Sequence, residues 1–296
     1  MPRASANGIE IEYESFGDEA GEPLLLIMGL GTQLTGWPDS FCEQLAGLGY
    51  RVIRYDNRDI GLSTHLVGVR PPNIPLLASL HLLRLRLPVP YTLEDMAGDA
   101  VALLDALGIE RAHLVGASMG GMIAQLVAAL YPGRTLSLTS IMSTTGHPSL
   151  PRAERYATRA LLSKPADPTD PEAVIERNTR VRKAVQSKLY PKSDEELRAA
   201  AARAFYRGGY DPAGVTRQLG AVIVAPHRRQ LLGTVRAPSL VIHGEADPLV
   251  KAECGIDTAR HLPDATLKLF PGMGHDFPEP LLEPMAEAIH QLARRG

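Results

Sequence analysis

Short apolar runs alternate with longer stretches of mixed polarity along most of the chain. The runs at 9–15, 23–28, 50–55, 112–116, 136–143, 239–243 and 265–270 have the length of strands and are rich in aliphatic residues. Between several of them lie segments such as LEDMAGDAVALLDALG, in which Met96, Val101, Leu103, Leu104 and Leu107 recur at helical spacing. Strands joined through helices predict a mainly parallel sheet with helices on both faces, because parallel neighbours need a long crossover. The expected fold class is α/β.

From 145 to 233 the alternation stops. PRAERYATRALL, PEAVIERNTRVRKAVQSKL and DEELRAAAARAFYR are rich in Ala, Arg, Glu and Leu and are separated by proline-containing joints. This part predicts several helices inserted into a sheet domain built from 1–144 and 234–296. A second uneven piece, RPPNIPLLASLHLLRLRLPVPYT (70–92), is apolar but carries five prolines, so it cannot form one long helix. The run from 112 to 131 is nearly uncharged, yet His113, Ser118, Gln125 and three glycines argue against a membrane span. No internal repeat or low-complexity segment stands out.

Bulk properties narrow the partners. The 296 residues can bury a substantial core, and a formal charge of −2 gives no general basic surface, so neither nucleic acid nor a membrane is expected as a partner. The start of the chain, MPRASANG, leads into polar sequence with no apolar signal core, which predicts a cytoplasmic protein. Cys42 and Cys254 are far apart and lack metal-ligand spacing; they predict buried thiols, with neither a disulfide framework nor a metal site.

One serine stands in unusual company. In GASMGG (116–121) the strand-like LVGA runs into Ser118 and then into the helix-like MGGMIAQLVAAL. The pattern G-x-S-x-G, with Gly116 and Gly120, suits a strand-to-helix turn so tight that its neighbours must be small, which leaves the hydroxyl exposed as a candidate nucleophile. Serine needs a base and an orienting acid. Asp247 follows the strand SLVIH in the loop GEADPLV, and His275 follows LKLF in PGMGHDF, both at expected strand ends where parallel sheets carry their chemistry. Glu245 and Asp276 are rivals for the acid; Asp276 adjoins His275 and would have to bend back to reach its ring. His243 reads as structural. An oxyanion needs two fixed N–H donors, for which Met119, directly after the serine, and Leu30, in the loop MGLG, are the candidates; each such donor contributes ~3 kcal/mol to transition-state stabilisation.

With these residues in view, the chain resembles the α/β-hydrolase fold superfamily outside the helical segment, which looks like that family's inserted cap or lid. The order Ser118, Asp247, His275 is the order found there. VIRYDNRDIGLST (52–64) is similar to the family's D-x-R-G-x-G-x-S segment, and MGLG (28–31) stands where the family has H-G-x-G. GWPDSF, RYDNRDIGLST and GASMGG together are similar to the serine esterase branch of aclacinomycin methylesterase type. Met28 in place of histidine implies different support for the oxyanion loop, and Asp59 replaces a glycine; Asp56 and Arg58 read as fold-stabilising charges. A serine at 118 argues against branches that use a carboxylate nucleophile.

The resemblance implies a cofactor-independent hydrolase that cleaves small hydrophobic carboxylic esters through an acyl-enzyme. C–C bond hydrolysis, lactone opening or perhydrolysis on the same triad, and a small-molecule receptor with slow hydrolysis, stay open. Leu76, Leu80 and Leu83, together with Leu77, Leu82 and Leu85, are candidates either to line a substrate pocket or to pack the insert on the core. The oligomeric state is open, a homodimer included.

Overall fold

Aliphatic alternation on the central strands decides the architecture. In the computed structural model, which describes residues 2–295 except 84, 86 and 87, Leu25 and Ile27 join one buried cluster while Leu24 and Leu26 join another. A strand whose side chains are apolar on both faces must be covered on both faces. Among the described residues the sheet has eight strands: β1 (Arg3–Ala6), β2 (Ile9–Phe16), β3 (Glu22–Ile27), β4 (Tyr50–Tyr55), β5 (Ala112–Ala117), β6 (Thr135–Ile141), β7 (Ser239–Gly244) and β8 (Ala265–Phe270). Their spatial order is β1-β2-β4-β3-β5-β6-β7-β8. The first two pairings are antiparallel and all those from β4 to β8 are parallel.

Helices α1 (Asp39–Gly47) and α11 (Leu282–Ala293) cover one face, through Phe41, Leu45, Leu282, Met285 and Ile289. On the other face lie α3 (Leu93–Ala106) and α4 (Met119–Leu130), through Met96, Leu103, Leu104, Ile123 and Val127. Local chemistry sets the start of α3: the Thr92 hydroxyl accepts from the Asp95 N–H while the Asp95 carboxylate accepts from the Thr92 N–H. Helix α2 (Ile74–Leu82) falls in the proline-broken segment. The apolar runs are strands as expected; β1, on the sheet edge, carries no apolar run, since RASA is four residues long and turns only two alanines to the core.

Between β6 and β7 the chain folds into five helices: α5 (Arg155–Leu161), α6 (Pro171–Val185), α7 (Asp194–Gly208), α8 (Pro212–Val224) and α9 (Arg229–Leu232). Asp170 and Asp211 cap α6 and α8 ahead of a first-turn proline, and Ser193 with Glu196 forms a capping box on α7. Helix α10 (Ala252–His261) then precedes β8. Among the described residues no helix is long and apolar enough to cross a membrane. Cys42 and Cys254 are both free and buried. Burial pushes the Cys42 thiol up to about 12, so it stays protonated.

Candidate active site

Ser118 occupies the junction between β5 and α4 with φ of 56° and ψ of −119°, a backbone region that non-glycine residues rarely enter. Its surroundings hold it there. The Ser118 N–H donates to the Ile141 carbonyl at 2.9 Å, and its own carbonyl accepts from Ser143 Oγ at 2.7 Å and Gly121 N at 3.0 Å. The small residues around it are steric necessities. A Cβ at Gly120 would collide with the Ile27 carbonyl, one at Gly116 with the Gly120 carbonyl, and one at Gly121 would sit 2.6 Å from Ser143 Cβ. Helix α4 therefore starts hard against β3, and the serine is lifted clear of both.

The predicted partners converge on it. The Ser118 hydroxyl faces His275 Nε2 at 3.0 Å, and His275 Nδ1–H donates to Asp247 Oδ2 at 2.7 Å. Asp247 Oδ1 accepts from the N–H groups of Leu249 and Val250, both at 2.8 Å, so each of its carboxylate oxygens is engaged. Burial alone would raise the Asp247 pKa. The facing His275 charge, with the side chains of His243 and His275 as hydrogen-bonding neighbours, outweighs burial and holds the carboxyl well below the usual carboxylate range. His243 lies 3.6 Å from Asp247 but donates from Nε2 to the Val250 carbonyl at 2.7 Å, which shapes the acid loop rather than reaching the serine.

The rivals for the acid point elsewhere. Glu245 is exposed. Asp276 Oδ1 accepts from the Ser187 N–H at 3.0 Å and the Ser187 hydroxyl at 2.5 Å, while Oδ2 has no partner among the described residues. Burial raises the pKa of Asp276 against those bonds. Its role is to tie the histidine loop to the chain beyond α6. The tie has further strands: His275 N–H donates to the Val185 carbonyl at 2.8 Å, Gly274 N–H to Ser187 Oγ at 2.8 Å, and Lys188 N–H to the Gly272 carbonyl at 3.2 Å. On the core side Phe277 packs on Trp37 with ring centroids 4.8 Å apart. The sequence offered no local signal for Ser187, since its partners are 87 and 89 positions away.

The loop after β3 passes directly over the serine. A Cβ on Gly29 would lie 3.0 Å from Ser118 Cβ and 3.5 Å from Oγ. Among the described residues, neither the Leu30 N–H nor the Met119 N–H, the latter at the first position of α4, donates a hydrogen bond within the chain. Met28, which stands where histidine was expected, is buried with its sulfur and methyl against Gly36, and its carbonyl accepts from Asn57 Nδ2 at 2.9 Å. Leu34 N–H donates to Asp56 Oδ1 at 2.7 Å. The 56–59 segment thus supports this loop with side chains.

Asp56 and Arg58 stand where fold-stabilising charges were expected. Asp56 pairs with Arg207 of α7 at 2.7 Å, and Arg58 makes two hydrogen bonds to Asp99. Asp59 has φ of 67° and bonds Arg217 of α8 through two contacts, at 2.7 and 2.8 Å. Asp59, His65 and Asp211 lie close enough together to hold a cation, but the Arg217 guanidinium already sits 2.7 Å from Asp59 and 3.7 Å from Asp211, supplying the positive charge.

Of the candidate pocket leucines, Leu76 and Leu83 are exposed, Leu80 is half-buried, and Leu77 is buried facing Gly220 of α8. Leu85 is exposed; the side chain of Leu82 lies outside the described residues.

Residues 22–279 match the model of the alpha/beta hydrolase fold family. Rhodomycin D methylesterase DauP of Streptomyces sp. strain C5 is 32% identical, over 93% of this chain and 92% of its own. A 2-hydroxy-6-oxononadienedioate/2-hydroxy-6-oxononatrienedioate hydrolase of Burkholderia vietnamiensis is 28% identical over 90% of this chain and 85% of its own. Among solved structures, a meta-cleavage product hydrolase from Pseudomonas fluorescens IP01 superposes with a TM-score of 0.75 at 18% identity, covering 100% of this chain and 98% of that one.

Proposed function

Because the chain belongs to the alpha/beta hydrolase fold family, we propose that it is a carboxylic ester hydrolase whose chemistry runs through Ser118, His275 and Asp247. One observation carries this reading: an unbroken line of hydrogen bonds, 3.0 and 2.7 Å long, from a conformationally strained serine through an imidazole to a buried carboxylate. The methylesterase relatives, one of them 32% identical over nearly the whole chain, support the ester as the bond cleaved.

The steps follow from the geometry. As the Ser118 oxygen attacks the ester carbonyl carbon, its proton passes to His275 Nε2, and the carbonyl π electrons move to oxygen. The N–H groups of Leu30 and Met119 face that developing charge as fixed dipoles, with the start of α4 adding its own. Asp247 keeps the imidazole in the Nδ1–H form and stabilises the imidazolium. Collapse of the tetrahedral intermediate breaks the C–O bond, and His275 returns its proton to the departing alcohol. Water then attacks the acyl-enzyme by the same route and releases the acid.

Residues 145–233 serve as the cap in this reading, since Val185, Ser187 and Gln218 from that segment bond the histidine and oxyanion loops. Leu30, Met119 and Val215 give the neighbourhood an apolar character, which suits small hydrophobic esters. Hydrolysis of a vinylogous diketone acid is the second reading, favoured by the 28% identical relative acting on 2-hydroxy-6-oxononadienedioate.

The test is a panel of p-nitrophenyl esters of increasing acyl length, aromatic methyl esters, lactones and a ring-fission dienoate. Short to medium acyl and methyl esters are expected to turn over repeatedly, and Ser118→Ala to lose at least ~10⁴-fold in kcat. Ester turnover that survives Ser118→Ala refutes the assignment; turnover of the dienoate alone selects the second reading.

A further inference from the structure

Asn57 and Asp56 support the loop after β3 at Met28 and Leu34, while Gly31 between them is held from 187 residues away. Gln218, on α8 of the inserted segment, is fully buried. Its Oε1 accepts from the Gly31 N–H at 2.8 Å, and its Nε2 donates to the Arg58 carbonyl at 2.8 Å. These two partners, one donor and one acceptor, fix which way the amide faces. Val215, one turn earlier on α8, closes on Gly31 as well: a Cβ there would lie 3.2 Å from both Val215 methyl carbons.

We propose that Gln218 is a positioning residue for the oxyanion donor Leu30, supplied by the insert to the core; this rests on the ester-hydrolase reading above. The Gly31 N–H and the Leu30 carbonyl belong to one peptide plane. Gln218 holds the N–H edge of that plane, and Thr32 Oγ1 holds the carbonyl edge at 3.2 Å. The preceding plane, which carries the Leu30 N–H itself, is held through its Gly29 carbonyl by the Thr32 N–H at 3.3 Å. Without Gln218 the second plane loses one of its two restraints at a glycine with φ of 62°, where the backbone has most freedom to turn. The donor one residue before it then samples a wider arc. Oxyanion stabilisation requires a donor fixed before charge develops, so the loss falls on the transition state rather than on substrate binding.

The experiment compares Gln218→Met, which keeps shape but removes both the acceptor for Gly31 and the donor to the Arg58 carbonyl, with Gln218→Glu, which also lacks that donor but keeps an oxygen for the Gly31 N–H. Turnover of p-nitrophenyl butyrate and inhibition by an alkyl trifluoromethyl ketone, whose serine adduct carries an oxyanion, are measured beside thermal melting. Gln218→Met is expected to lose about 10- to 100-fold in kcat, as small displacements of catalytic geometry do. KM should change little, ketone affinity should fall by a similar factor, and Gln218→Glu should regain most of both. If Gln218→Met does not fold, Gln218→Asn, which draws the amide back by one methylene, carries the same expectation. A folded Met or Asn variant with wild-type kcat and ketone affinity overturns the inference, as does a kcat loss that leaves ketone affinity unchanged. Wild-type turnover that is abolished in Ser118→Ala is the control: its absence would overturn the ester-hydrolase reading itself.

Discussion

At Ser118 a φ of 56° costs roughly 1–3 kcal/mol for a residue with a side chain, and the neighbouring backbone bonds keep the residue there. Such a turn was legible from GASMGG because the constraint is local: at 116 and 120, where β5, α4 and β3 touch, only glycine fits. Asp247 was legible for a similar reason, as an acid placed just beyond a strand end. Its lowered pKa gives a sign to its effect on stability. An aspartate depressed in the folded state contributes stability that is complete above its unfolded pKa of ~3.9 and is lost as pH falls through the folded value. Comparing wild type with Asp247→Asn in urea across acid pH should therefore show a difference in unfolding free energy that shrinks as acid is added below pH ~4. A difference that keeps growing as pH falls below ~4 would contradict the ion-paired assignment. Gln218 and Ser187 were not legible, because nothing near them in the chain marks a glutamine or serine whose partners are more than eighty residues away.

Among the elements, α7 and α8 are joined to the core by charges. Asp59 is 0% and Arg217 3% exposed, so without Arg217 the buried Asp59 loses its guanidinium partner, while without Asp59 the buried Arg217 keeps only Asp211, 3.7 Å away. Removing one partner of such a pair costs about 3–5 kcal/mol, whereas replacing both can be nearly neutral. Arg217→Met is accordingly expected to lower stability by about 3–5 kcal/mol, and Asp59→Gly combined with Arg217→Met to recover much of it, since glycine also accepts the positive φ. Chemical denaturation of the single and double variants checks this; a double variant at least as unstable as Arg217→Met would show that the pair does not act as a unit. The sequence marked residue 59 as a departure from the family glycine, but not its partner, which lies 158 positions away. Helix α3 was readable from its apolar period, as were the helical character and joints of the insert. How those helices sit on the sheet was not, because that depends on buried contacts such as Gly220 against Pro72 and Leu77.

Across the whole molecule, seven apolar runs sufficed to foresee a mainly parallel sheet covered on both faces, and the family match over 22–279 agrees with it. The arrangement matters because parallel strands deliver their following loops to one edge. The loops after β3, β5, β7 and β8 bring Leu30, Ser118, Asp247 and His275 together there, although the chain separates the first from the last by most of its length. Three of these loops are also gripped by the insert, at Gly31, at Pro248 and at 272–276, so the site is assembled from both parts of the chain. Covalent labelling tests this account most directly. After treatment with diethyl p-nitrophenyl phosphate, intact-mass and peptide analysis should find one diethylphosphoryl group per chain, on Ser118, appearing in step with loss of esterase activity. His275→Ala should slow that labelling by about 10²-fold or more. Full activity with Ser118 completely labelled, or inactivation with the label on another residue, would contradict it.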